Sequence, residues 1–138
     1  MNNAKFTKSD TVSIQDWSGK TILVAEDVAA NYMLIEAVLS MTKATLIWAQ
    51  NGREAVEACF ENDGIDLVLM DIRMPEMNGL DATRAIKRFR HDLPIIAQTA
   101  FTYNREEEQI IEAGCIKVIT KPISPEILIN SIVEFMNS

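Results

Sequence analysis

Asp71 follows four apolar residues, Leu67-Val68-Leu69-Met70, and is followed by Met74-Pro75-Glu76-Met77-Asn78-Gly79. The proline cannot continue a helix and the Asn-Gly pair favours a sharp turn, so this carboxylate stands at the carboxyl end of a buried strand. Three other apolar stretches end in polar side chains: Lys20–Ala25 runs into Glu26 and Asp27, Leu93–Gln98 into Thr99, and Ile116–Thr120 into Lys121. If those strands are parallel, the five residues meet at one edge of the sheet, where open α/β sheets bind ligands. Three carboxylates beside one ammonium repel each other unless a cation sits among them. Oxygen-only ligands suit Mg²⁺, with Mn²⁺ as a substitute, rather than zinc. A carboxylate nucleophile, a hard divalent ion, a hydroxyl and a lysine form an apparatus for phosphoryl transfer. Asp71 would attack, the metal and Lys121 would neutralise the phosphoryl oxygens, and Thr99 would donate its hydroxyl. Taken singly, each residue has a plainer role as a helix-start acid, a strand hydroxyl or a solvated loop cation; their joint placement favours chemistry.

The elements that must hold these residues are legible from the change of period along the chain. Strands are expected at Lys20–Ala25, Ala44–Trp48, Leu67–Met70, Leu93–Gln98 and Ile116–Thr120, and helical spacing follows each of them. The first helix carries Ala30, Met33, Leu34, Ala37, Val38 and Met41 at the spacing of an inward face. The second offers Ala55, Val56, Cys59 and Phe60, and the third Ala82, Ala85, Ile86 and Phe89. A Glu-rich fourth helix, Arg105–Ala113, closes at Gly114, and a fifth runs from Pro125 to about Met136. Strands alternating with helices through short connections give an α/β fold, a doubly wound five-stranded parallel sheet with helices on both faces.

With 138 residues, 48% of them hydrophobic, there is enough chain for one core and one domain. A formal net charge of -7 without a basic run argues against nucleic acid or an anionic membrane as partner. Cys59 and Cys115 lack metal-ligand spacing and read as buried thiols of a reducing compartment, and no stretch approaches membrane-spanning length, so the expected location is cytoplasmic. Residues 1–18 read as a polar leader or linker, loosely held.

Ile22-Leu23-Val24-Ala25-Glu26-Asp27, Leu67 to Gly79, Pro94 to Ala100 and Lys121-Pro122 together resemble the receiver domain of two-component response regulators, most of all those of hybrid histidine kinases and phosphorelays. The resemblance covers residues 19–138. It implies a flavodoxin-like sheet of strand order 2-1-3-4-5, with Asp71 as phosphoacceptor, Glu26 and Asp27 as the acidic pair for Mg²⁺ and the backbone carbonyl of Arg73 completing the metal shell. Thr99 becomes the switch hydroxyl, Lys121 the phosphate-pairing lysine, and the Lys121-Pro122 bond cis. The partner it implies is a sensor histidine kinase or histidine phosphotransfer protein. Such a domain is a switch, catalysing only its own phosphoryl acceptance and slow dephosphorylation.

One position departs from the family pattern. Three residues before the lysine, where Tyr or Phe is common, stands Val118, so the signal must use another route; Phe101 and Tyr103 are the nearby aromatics. The last helix shows a wide apolar stripe. A core role accounts for it, while an outer part at Ile129, Val133 and Met136 is a candidate partner surface or homodimer contact. The alternative to a phosphorylatable switch is an interaction module on the same fold that binds irrespective of phosphorylation.

Overall fold

A computed structural model describes residues 15–100 and 104–136, so Phe101, Tyr103 and most of the expected leader lie outside the described residues. Five strands, β1 (Thr21–Ala25), β2 (Thr45–Ala49), β3 (Leu67–Asp71), β4 (Ile95–Thr99) and β5 (Lys117–Thr120), form one parallel sheet in the order β2-β1-β3-β4-β5. Helices α1 (Ala29–Leu39), α2 (Gly52–Glu61), α3 (Gly79–Phe89), α4 (Asn104–Ala113) and α5 (Pro125–Met136) connect and cover it. This is the expected fold and strand order. β4 begins one residue after Pro94, because proline has no N–H for the ladder, and it extends to include Thr99.

Alternation along the strands divides the core in two. Leu23, Ala25, Val68, Met70, Ile95 and Ala97 pack with Ala55, Cys59, Ala82, Ile86 and Ile110 on the α2–α4 side. Ile22, Val24, Leu67, Leu69, Ile96 and Ile119 pack with Ile35, Leu39, Leu128 and Ile132 on the α1/α5 side. Every residue of β3 and β4 is buried, which is why both read as continuous runs instead of alternating ones. Trp17 is buried in the second core and its N–H bonds the Thr42 carbonyl at 2.6 Å, so packed chain begins before residue 19.

Three helical faces differ from expectation. α1 buries Tyr32, Ile35 and Leu39, while Met33, Leu34 and Met41 are exposed. The helix is apolar nearly all round, so periodicity left its phase open, and a buried tyrosine helped decide it. Phe60 and Phe89 lie outside the core and meet edge to face, 5.5 Å between centroids. On α5, Ile129 and Met136 are buried and Val133 is half-buried against the same core, so Ile129 and Met136 face inward instead of forming the outer part of the stripe expected as a partner surface. The stripe is wide because α5 fills the angle between the sheet and α1. Cys59 and Cys115 are free and buried, and burial pushes both thiols up to about 11. Gly114 adopts φ +123°, the left-handed conformation expected just past α4.

Candidate functional site at the carboxyl edge of the sheet

The same alternation builds the site. Two residues beyond Val24, Leu69, Ile96 and Ile119 come Glu26, Asp71, Gln98 and Lys121, so these four form one row on the α1/α5 side. Asp71 and Gln98 are register partners on β3 and β4. One carboxylate oxygen from each of Glu26, Asp27 and Asp71 can be chosen so that all three lie within 4.8 Å of one another. The Lys121 ammonium donates to Asp71 Oδ2 at 3.0 Å and to Glu26 Oε1 at 3.3 Å. Thr99 closes the edge, its carbonyl accepting from the Lys121 N–H at 2.7 Å, and the Lys121-Pro122 peptide is cis.

Each acid is held differently. Glu26 is fully buried, and its Oε2 accepts from the Val28 N–H at 3.1 Å and the Asn31 amide at 3.3 Å. Burial first, and the neighbouring Asp71 carboxylate second, push its carboxyl above the usual range. Asp71 is 5% exposed and accepts from the Arg73 N–H at 3.2 Å, while the Arg73 side chain reaches away to Glu106 at 2.9 Å. Asp27 is exposed at the mouth. Burial opposes the Lys121 charge, but the Asp71 and Glu26 carboxylates outweigh it, so this ammonium is held above its ordinary value. Three acidic oxygens, with no nitrogen or sulfur ligand among the described residues, and two uncompensated negative charges fit a hard divalent ion, with the Arg73 carbonyl on the adjacent loop.

The sequence reading missed Gln98. Its side chain is fully buried and neither amide atom has a partner among the described residues. The available signal was an amide in a strand otherwise written Ile-Ile-Ala. Replacing both unpaired groups by an apolar chain of similar shape removes a desolvation cost, so Gln98→Met should stabilise the protein by about 1 kcal/mol. Urea unfolding with an unchanged or lower midpoint would contradict this.

Residues 22–133 match the sequence model of the Response regulator receiver domain. The chain belongs to the response regulator receiver family. Like other receivers it is a signalling switch domain and not a conventional enzyme, in a family whose members work by phosphorylation. It is 36% identical over 120 residues to the polar-differentiation response regulator DivK of Brucella anthropi, covering 85% of this chain and 96% of that one. Among solved structures, this receiver resembles that of the Pseudomonas aeruginosa sensor histidine kinase PA1611, which has a magnesium ion coordinated in its active site cleft. The TM-score is 0.81 at 30% identity, covering 88% of this chain and all of that one. The Saccharomyces cerevisiae Ssk1 receiver, solved with the histidine phosphotransfer protein Ypd1, gives a TM-score of 0.81 at 26% identity over 87% and 90% of the two chains. No helix among the described residues is long and apolar enough to cross a membrane.

Proposed function

We propose that Asp71 accepts a phosphoryl group from a phosphohistidine, with Mg²⁺ held by Glu26, Asp27, Asp71 and the Arg73 carbonyl. The observation that carries this reading is the Asp71 carboxylate, fixed at a strand end between two acids and an ammonium 3.0 Å away. An Asp71 oxygen attacks phosphorus, the nitrogen–phosphorus bond breaks, and the imidazole leaves with its electron pair and takes a proton from solvent. The metal supplies charge neutralisation for the incoming oxygens. Lys121 moves from its carboxylate partners to one phosphoryl oxygen and the Thr99 hydroxyl donates to another.

The donor would be a sensor histidine kinase or a histidine phosphotransfer protein. An apolar groove of about 390 Å³ between α1 and α5 reaches Lys121 and Glu26, with Leu34 on its wall and half exposed. With Met33 beside it, this supports α1, not α5, as the surface that a histidine-bearing helix covers. The buried free thiols support a reducing, cytoplasmic setting.

Intact mass after incubation with acetyl phosphate and Mg²⁺ tests the reading. One phosphoryl group should be gained, and lost both with chelator and in Asp71→Asn. No gain with acetyl phosphate or a phosphohistidine donor would favour the phosphorylation-independent interaction module.

A further inference from the structure

We propose that Trp48 is a positioning residue for the metal-binding acids, acting through the peptide bond that joins Glu26 to Asp27. This rests on the reading of those acids as the Mg²⁺ pair. The Trp48 indole N–H donates to the Glu26 backbone carbonyl at 2.7 Å, a tertiary bond between residues 22 positions apart. The next residue of β2 holds the other end: the Glu26 N–H donates to the Ala49 carbonyl at 2.9 Å. Two consecutive residues at the end of β2 thus fix both backbone polar groups of Glu26.

The carbonyl that Trp48 holds belongs to the same rigid peptide plane as the Asp27 N–H. Rotation of that plane swings Asp27 while leaving the Glu26 side chain in place, because Val28, Asn31 and Lys121 bind the Glu26 carboxylate separately. Asp27 needs such support. Its side chain is exposed and makes no hydrogen bond or ion pair among the described residues, so its direction comes from its backbone.

The indole is itself held in place. Tyr32 stacks on it at 4.4 Å between centroids and 5° between planes, and the Tyr32 N–H bonds the Val28 carbonyl in the first turn of α1. β2, the acidic turn and α1 are therefore joined around one aromatic pair. Outer partners that orient metal ligands commonly change affinity by about 10–100-fold when removed.

The test is Mg²⁺ affinity of the folded protein, measured by isothermal titration calorimetry, for the natural chain and Trp48→Phe, which retains an aromatic ring facing Tyr32 but lacks the N–H. Should that variant fail to fold, benzothienylalanine at position 48 keeps the bicyclic shape and replaces N–H by sulfur. About tenfold weaker binding is expected in a protein still folded at the titration temperature, with Tyr32→Phe, which keeps the donor, binding like the natural chain. Equal affinity in the natural chain and the donor-less variant would overturn the role of Trp48 while leaving the metal site standing. Absence of Mg²⁺ binding in the natural chain would remove both readings.

Discussion

Replacing Lys121 with methionine should destabilise the metal-free protein by about 3–5 kcal/mol, one of the two largest stability effects expected of a single side chain here. The ammonium bridges two buried carboxylates, Glu26 and Asp71, at 3.3 and 3.0 Å. Removing it leaves like charges facing each other with little water between them. Part of the loss is relieved when Glu26 takes a proton, which its raised pKa already favours. The folded state then holds that proton to higher pH than the unfolded chain, so stability falls as pH rises through the interval between the two values. The methionine variant should show that fall more steeply than the natural chain. Millimolar Mg²⁺ should restore much of the lost stability and bind more tightly than before, since no ammonium competes for the acids. Urea unfolding at pH 5.5 and 7.5, with and without Mg²⁺, measures all of this; a metal-free variant as stable as the natural chain would contradict it.

Gly79→Ala should cost about 3 kcal/mol and abolish phosphoryl acceptance together. Gly79 opens α3 directly over the end of β3, with its N–H bonded to the Ile72 carbonyl at 2.9 Å. An added Cβ would collide with the Asp71 carbonyl and the Ile72 Cα, both backbone atoms of a strand end buried on each face. A flexible side chain could turn aside; this strand end cannot. The helix must move off, and the Arg73 N–H that steadies the Asp71 carboxylate lies in the loop that moves with it. Gly19→Ala is the matching control. Gly19 has φ +83° but open space around its Cβ position, so only the conformational penalty of about 1 kcal/mol applies and phosphorylation persists. Thermal unfolding and intact mass of the two variants separate the effects; a loss at position 79 no larger than at position 19 would show that the collision is relieved and overturn the prediction.

The strands and their ends were legible because buried parallel strands leave continuous apolar runs, and a polar residue that stops such a run is conspicuous. Asp71 and the Glu26-Asp27 pair stood out for that reason. Helix orientation was harder to read. On α1 the exposed Met33 and Leu34 are as apolar as the buried Ile35 and Leu39, so hydropathy carried no phase information. On α5 the apolar residues outnumber those that one narrow core face needs, and only the packing showed that Ile129 and Met136 turn inward. Gln98 and Trp48 went unread for a different reason. Their significance lies in what they bond or fail to bond across strands, which depends on register.

The division of side chains between the two faces also bears on how a signal leaves without an aromatic at position 118. Asp71 and Lys121 belong to the row facing α1 and α5, whereas Thr99 continues the row of Ile95 and Ala97, and Val118, opposite Ala97, packs on that same α2–α4 side. On the proposed reading, the sheet is then a partition between a room where phosphate would be delivered and a room where its arrival would be felt. A donor occupying α1 leaves the far room open, so writing and reading the mark need not compete for one surface.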